Sequence, residues 1–338
     1  MLKFLLVRMI WSKIRKVLPF IGIAIFVYLV IKLNIVSIIK QIEKIKIAYV
    51  FIALLFLAVY VIFQTTKWYV IARKQKINVP FKDAIRINII TNFYGFVSPA
   101  RLGSVLRADY LKNYANGLGK GFSNFVIDKV LDLSSIFVLA ISLGFVFRSK
   151  IGIVSSNSLY ILVTIFLALI LLSLIFYKKE FSKFFLRIIY RKLVPDRMKE
   201  KAKTGFDSFY EDMPRYRFIF LAFIINILTW VTNYIIAYFV GLSLGINISF
   251  IYYLAVYPIA TLVAQIPITV SGLGTREFTL ISLFGLFGVE SVKIFSMSII
   301  TLVIVDIVPA IIAVFLMLEK NKNDADLNKK KLKRGIKE

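Results

Sequence analysis

Charged side chains interrupt the apolar stretches of this chain at a few positions, and their spacing limits the chemistry they can do. Asn124, Asp128 and Asp132 follow one another at intervals of four, with Lys129 beside them. This interval places the three side chains on one face of a helix. Two carboxylates in lipid repel each other and are poorly solvated unless a cation or water reaches them. We therefore expect this face to point into the protein.

Three arginines and a glutamate surround two short interruptions of the apolar sequence. Arg101 lies in "SPARLG" and Arg107 just beyond it, while Arg276 and Glu277 end "VSGLGTRE". Arginine suits phosphate because its planar guanidinium donates two parallel hydrogen bonds to an oxyanion. The candidate substrate-binding residues are therefore Arg101, Arg107, Asp128, Asp132, Arg276 and Glu277. In the alternative interpretation, these groups pair with one another and only hold the fold together.

The chain contains neither cysteine nor histidine, which excludes thiolate nucleophiles, histidine general bases and Cys/His zinc sites. The sequence also lacks a GxxxxGK[ST] phosphate loop. We expect no catalytic residue, no bound metal and no cofactor, and no ATP-driven transport.

The elements that carry these residues are apolar and long. Hydrophobic residues make up 59% of the 338 positions, which exceeds the share of about 45–50% in soluble domains. This composition predicts an all-α polytopic membrane protein, because about 20 apolar residues cross the hydrocarbon core. The six predicted spans lie near 18–33, 47–66, 121–147, 157–177, 216–242 and 291–318.

Two further apolar stretches, 84–113 and 249–289, break halfway. We place the breaks at Pro99 and Gly103 and at Gly272 and Gly274. Both stretches are typical of re-entrant helical hairpins, and they enter from opposite sides, as in the inverted repeats of transporters. Helices restarting after Gly103 and Gly274 would direct their positive N-termini into one shared cavity. We expect the turns Pro99–Gly103 and Ser271–Gly274 to lie close together within the membrane. The alternative is two ordinary two-span hairpins with turns at the surface.

The charge distribution predicts the topology. The formal charge is +26, from 44 basic and 18 acidic residues. With both termini in the cytoplasm, 34 basic residues lie in cytoplasmic segments and 6 in external ones, as the positive-inside rule requires. The charge therefore indicates a membrane partner, not nucleic acid. We assign 1–318 to one membrane domain, in which 178–215 is a cytoplasmic amphipathic segment, and 319–338 to a basic cytoplasmic tail.

The segments "SPARLGSVLRADYL" and "ITVSGLGTREFTLISLFGLFGV" resemble motifs of the lysylphosphatidylglycerol synthase transmembrane region family, the flippase-like domain of multiple peptide resistance factors. The resemblance covers roughly 10–318. Where that family tends to have Glu-Arg followed by Asp, this chain has Asp128-Lys129 and then Asp132. The family often has an arginine before a proline in its last span, whereas this chain has Leu302 and Asp306 before Pro309. Because only a basic tail follows residue 318, we expect no synthase domain.

The resemblance implies translocation of lipids or lipid-linked molecules. We expect a flippase-type transporter in the plasma membrane that binds lipids with anionic or phosphate-bearing headgroups, as a monomer or a homo-oligomer. One alternative is a membrane enzyme or glycosyltransferase partner that acts on a polyprenyl-phosphate-linked substrate, with Asp128 and Asp132 binding a divalent cation. A scaffold without transport is the third possibility.

Overall fold

The regular elements of the protein are helices throughout the part of the chain that the computed structural model describes, which comprises residues 24–98, 101–115, 117–146, 156–183, 196–266, 269 and 271–319. The helices are α1 (Ala24–Lys32), α2 (Ile35–Glu43), α3 (Ile47–Lys74), α4 (Phe81–Phe96), α5 (Arg107–Leu111), α6 (Leu118–Val146), α7 (Ser156–Tyr177), α8 (Asp196–Tyr210), α9 (Tyr216–Ser243), α10 (Phe250–Gln265), α11 (Thr275–Gly285) and α12 (Ser291–Glu319).

Three of these helices are long and apolar enough to cross a membrane, namely α3, α9 and α12. A fourth candidate is the pair α1 and α2, which bends by 75°. Helices α6 and α7 coincide with the predicted third and fourth spans. The protein is therefore an all-helical membrane protein, and the count of six spans stays a prediction.

The chain turns sharply after the first predicted span. That span begins outside the described residues, and its described part ends at Lys32. The residues after this span form the helix α2 and not an irregular loop. Asn34 starts this helix, because its side-chain oxygen accepts a hydrogen bond from the Val36 N–H at 3.0 Å. Helix α2 then packs against α12, with Ile38 and Phe295 buried between them.

The centre of the protein is built around α3 and α9, which pack along each other. Their contact continues into α10, α11 and α12 through a cluster of buried apolar side chains that includes Ala53, Tyr234 and Tyr253. Phe284 of α11 and Met297 of α12 belong to the same cluster. This core fixes α10 and α11 against the long helices, and it thereby positions the second break.

The first interrupted stretch is a helical hairpin. Its long limb is α4, with 16 residues, and its short limb is a 3₁₀ helix, Leu102–Leu106, followed by α5. A Cβ atom at Gly103 would lie 2.1 Å from the Tyr94 carbonyl oxygen, so only glycine lets the limbs approach this closely. Arg101, which precedes the 3₁₀ helix, has a left-handed φ of 55°. Pro99, the other predicted break residue, lies outside the described residues.

The second interrupted stretch repeats this arrangement. Its long limb, α10, also has 16 residues, and its short limb is the 11-residue α11. Gly272 and Gly274 have φ angles of 78° and 83°, and a Cβ at Gly272 would lie 2.3 Å from the Ala264 Cβ. At 1.5 Å per residue α11 is about 16 Å long, which is shorter than the hydrocarbon core.

The helix starts in both hairpins are occupied by the protein's own side chains, which corrects the expectation that their N-termini face a ligand. The Gly103 N–H donates to Ser98 Oγ at 2.6 Å. The Gly274 N–H donates to Glu277 Oε2, also at 2.6 Å. Because the short limb after Gly103 begins as a 3₁₀ helix, no α-helix starts there. A bound anion would therefore depend on side chains and not on these N-terminal backbone groups.

Ion pairs connect the start of α6 to the loop after α8. Lys120 is buried, and its Nζ lies 2.8 Å from Asp212 and 3.1 Å from Glu211. Lys76 lies 2.7 Å from the other oxygen of Asp212. Hydrogen bonds from Lys120 and Lys76 hold the pKa of Asp212 below its usual value. This connection holds the end of the predicted amphipathic segment against α6, while residues 184–195 of that segment lie outside the described ranges.

We expect Asp212→Asn to lower the melting temperature at pH 7, because Lys120 would keep only the exposed Glu211 as a partner. A carboxylate whose pKa is lowered by folding stabilises the fold above its unfolded pKa, near 4, and this contribution is lost as the pH falls through the lower folded pKa. The difference between wild type and variant should therefore shrink on acidification below pH 4. Melting curves from pH 7 to pH 3 measure it, and a constant difference would contradict the assignment.

Candidate functional site

Five charged residues, most of them buried, form one network, which we call the α6 cluster: Lys67, Arg107, Asp128, Lys129 and Asp132. Lys67 of α3 reaches between the two carboxylates, contacting Asp132 and lying 3.1 Å from Asp128. Arg107 Nη2 donates to Asp128 Oδ2 at 2.5 Å. Both acids thus point into the protein and meet cations, as the spacing predicts. Lys67 occupies the position between the carboxylates that the enzyme alternative gives to a divalent cation.

The elements around the α6 cluster hold its side chains in place. Arg107 lies on α5, which packs on α6, and its guanidinium lies 4.9 Å from the Trp68 ring centre. Asn124, one turn before Asp128, donates to the Trp68 carbonyl oxygen at 3.0 Å and to Gln75 at 3.2 Å. Asn124 therefore joins α6 to α3 and brings Lys67 beside the carboxylates.

A second group, the hairpin cluster, contains Arg101, Arg276, Glu277 and Asp306. Arg101 Nη2 donates to Asp306 Oδ1 at 2.9 Å, and Arg276 Nη2 lies 3.0 Å from Glu277 Oε1. Asp306 lies in a π-helical turn of α12, Val303–Ile307. The two breaks also meet directly, because Ser271 Oγ donates to the Phe96 carbonyl oxygen at 2.5 Å. The expected proximity of the two turns is thus observed, and their depth in the membrane stays a prediction.

Glu277 does not line the cavities of the site. Its side chain is 0% exposed, and it accepts hydrogen bonds from the Gly274 N–H, from Ser298 Oγ and from Arg276 Nε. The four lone-pair positions of the Glu277 carboxylate are thus largely taken up by hydrogen bonds from the protein itself. Glu277 holds Arg276 and starts α11, so its place in the structure is that of a positioning residue.

Three small cavities adjoin one another along the two clusters. The hairpin cavity, of about 60 Å³, is lined by Arg101, Trp230, Ser271, Arg276 and Asp306 among others. The α6 cavity, of about 40 Å³, is lined by Lys67, Arg107, Asp128, Lys129 and Asp132 together with amide and hydroxyl side chains. A third cavity, of about 20 Å³, lies between Gln64, Asn92 and Pro309. Tyr60 and Arg101 line all three, so Arg101 stands where they meet.

Some hydrogen-bond donors at these cavities have no acceptor in the protein. Trp230 Nε1 is a buried atom without a hydrogen bond, and the buried Arg276 Nη2 has only its ion-pair contact with Glu277, which lacks hydrogen-bond geometry. Both residues line the hairpin cavity. Arg107 Nε, beside the α6 cavity, also lacks a hydrogen bond. A buried polar group without a partner costs about 1–3 kcal/mol, so these donors favour an occupant that brings acceptor oxygens.

Several residues of the site were not expected from the sequence. The predicted second span, 47–66, ends just before Lys67, but α3 continues to Lys74. The spacing of Tyr60, Gln64 and Lys67, four and then three residues apart, places them on one helix face and is the signal that could have found Lys67. On α9, three polar side chains one turn apart differ in their contacts. Asn226 joins two helices, since it donates to Ser135 Oγ at 3.0 Å, whereas Thr229 and Asn233 line cavities.

Comparison with known proteins gives two matches. The family described as "Lysylphosphatidylglycerol synthase TM region" matches residues 18–313. A UPF0104 membrane protein of Pyrococcus horikoshii is 26% identical to this chain in an alignment of 331 positions. The alignment covers 91% of this chain and 98% of the relative. The family match includes both hairpins and both charged clusters.

Proposed function

Because the chain belongs to the lysylphosphatidylglycerol synthase transmembrane region family, we propose that it carries the phosphate-bearing headgroup of an anionic lipid between the leaflets of the cell membrane. The hairpins are re-entrant in this proposal, and both termini are cytoplasmic. The headgroup crosses beside Arg101 and Arg276, and the acyl chains stay in lipid. The family match establishes that the chain is a membrane protein of a lipid-related family. The transport step is our proposal.

The donors at the hairpin cavity that are not fully hydrogen-bonded carry this proposal. Trp230 offers an N–H group that no protein oxygen accepts, Arg276 Nη2 has only its ion-pair contact with Glu277, and the Arg101 side chain is 32% exposed. Hydrogen bonds that join a charged group to phosphate are stronger than neutral ones and favour an anion over other polar occupants. A cavity of about 60 Å³ has room for several water molecules, so the acyl chains must remain outside it.

The charge pairing also supports a carrier over a rigid ion-pair scaffold. Arg101 donates to Asp306 through one nitrogen, and its side chain lines all three cavities. A buried ion pair stabilises a fold only when further hydrogen bonds satisfy its remaining donors and acceptors. An arginine that is partly exposed and borders three cavities can keep its contact with Asp306 and use its other N–H groups for a phosphate.

The test removes the charge of Arg276 without leaving Glu277 unpaired. We expect the double variant Arg276→Gln, Glu277→Gln to fold, since glutamine can still accept from the Gly274 N–H, and to move an anionic lipid ten- to a hundredfold more slowly. This corresponds to losing a contact of about 1.5–3 kcal/mol, at tenfold per 1.4 kcal/mol. Arg276→Lys should keep only part of the wild-type scrambling rate, because an ammonium group lacks the planar fork of a guanidinium. Scrambling of fluorescent phosphatidylglycerol in vesicles measures the rate.

The matched control is Arg86→Gln, Glu319→Gln, which neutralises an exposed pair 2.8 Å apart at the protein surface. This control should scramble lipid at the wild-type rate. If the Arg276 and Glu277 double variant folds and is as fast as the control, the hairpin cluster is structural and the proposed function is wrong.

A further inference from the structure

The α6 cluster has one cation more than it has carboxylates. Lys67, Arg107 and Lys129 face Asp128 and Asp132, and two of the three cations lie within 3.1 Å of a carboxylate oxygen. Lys129 differs, because its nearest carboxylate is Asp132 at 3.8 Å, and Asp132 already contacts Lys67. Its side chain is 30% exposed and lines the α6 cavity. Lys129 is therefore the least compensated cation of the cluster.

Arg107 also has a donor atom at the α6 cavity that lacks a hydrogen-bond partner. The Arg107 side chain is only 5% exposed, and its Nε has no hydrogen bond. Trp230, whose Nε1 also has no acceptor, borders this cavity as well as the hairpin cavity. The α6 cavity thus has one positive charge in excess and two N–H groups without acceptors. An oxyanion binds to groups of this kind.

The polar side chains of the α6 cavity complete the site. Ser104, Thr229 and Gln265 line it beside the charged groups, and Asn88 and Asn92 come from α4. The Asn88 and Asn92 amides both donate to Gln64 Oε1, at 3.0 and 2.6 Å. These hydrogen bonds tie the two amides to Gln64, so they shape the cavity without pairing with Lys129.

We infer that the α6 cavity is a second binding site for a phosphate group, and that Lys129 makes the protein prefer lipid headgroups with a net negative charge over zwitterionic ones. The inference rests on the proposed function, which it extends from one phosphate site to two. Arg101 borders both cavities and joins the two sites. A zwitterionic headgroup brings its own cation beside Lys129. Like charges repel strongly in a site of low dielectric constant.

The selectivity test uses vesicles with trace fluorescent phosphatidylglycerol or phosphatidylcholine, whose scrambling rates are compared. We expect Lys129→Gln to lower the ratio of the two rates about tenfold, and Lys129→Arg to keep it within twofold of wild type. Asp132→Asn removes a carboxylate and should raise the ratio, which provides a change of opposite sign should Lys129→Gln fail to fold. The matched control is Lys293→Gln, which removes a surface lysine of similar exposure, 28%, that is paired with Glu290.

A binding measurement separates this inference from the proposed function. Titration of the detergent-solubilised protein with glycerol phosphate should give two sites in wild type and one in either Lys129→Gln or the Arg276 and Glu277 double variant. If Lys129→Gln removes a site but wild type scrambles no lipid, the second site stands and the transport function fails. If lipids are scrambled and neither the ratio nor the number of sites changes, the inference is wrong. If only the number of sites changes, the cavity binds free phosphate, and the claim about headgroups is wrong.

Discussion

Replacing Lys67 with methionine is expected to lower the free energy of unfolding by about 3–5 kcal/mol, because removing one partner of a buried ion pair leaves an uncompensated charge. Lys67 contacts both Asp128 and Asp132. Asp128 keeps Arg107, but Asp132 keeps only Lys129 at 3.8 Å. Denaturant titration in mixed micelles, followed by tryptophan fluorescence, measures the change.

Two further variants decide whether the loss comes from the unpaired carboxylate. Lys67→Met with Asp132→Asn should be more stable than Lys67→Met alone, because coupled residues depart from additivity by 0.5–3 kcal/mol. Lys40→Met changes an exposed lysine of α2 and should alter stability by less than about 0.5 kcal/mol. Equal losses in Lys67→Met and Lys40→Met would show that the α6 cluster contributes nothing to stability.

Gly103→Ala is expected to disrupt the first hairpin at a cost of about 3 kcal/mol or more. The added Cβ would lie 2.1 Å from the Tyr94 carbonyl oxygen and 2.8 Å from Ser98 Oγ. Ser98 Oγ also accepts the hydrogen bond from the Gly103 N–H that closes the break, so the clash acts on this bond. Overpacking that only shifts side chains already costs about 1–3 kcal/mol. The backbone shift would also move Arg101 away from Asp306. Folded yield and lipid scrambling should therefore both fall.

The control for this variant is Gly285→Ala. Gly285 ends α11, and an added Cβ would meet nothing within 4 Å. Since alanine has a better helix propensity than glycine by about 1 kcal/mol, this change should be neutral or slightly stabilising. If Gly103→Ala folds and scrambles lipid as well as Gly285→Ala does, the close approach of the two limbs is not needed.

The sequence predicts more of the local structure than of the pairing between helices. The interval of four between Asp128 and Asp132 fixes their shared face whatever surrounds α6, and the glycines at the breaks mark turns that other residues cannot form. Which cation meets which carboxylate depends on how α3 and α6 are rotated and shifted against each other. Local spacing does not contain that information, so the sequence offers Arg101, Arg107 and Arg276 alike as partners of Asp128 and Asp132. In the structure Arg107 lies there, together with Lys67, which the sequence does not indicate.

The end of a buried helix is also difficult to place from its apolar run. The run in α3 weakens at Lys67, and we placed the end of the span just before it. The helix continues for eight more residues, to Lys74, because Lys67 contacts carboxylates inside the protein and Trp68 is buried among Ile77, Ala84 and Leu111. Tertiary contacts therefore decide where the helix ends. The same holds for α2, whose apolar face is covered by α12.

The composition of the two charged clusters bears on how the membrane potential acts on the protein. Together they contain five cations and four carboxylates, namely Lys67, Arg101, Arg107, Lys129, Arg276, Asp128, Asp132, Glu277 and Asp306. Arrival of one phosphate diester, with a single negative charge, would bring this sum to zero. An electric field acts on net charge, at about 2.3 kcal/mol per elementary charge per 100 mV. With one headgroup bound the clusters would therefore feel almost no voltage, whereas the empty clusters would respond to it as a single positive charge.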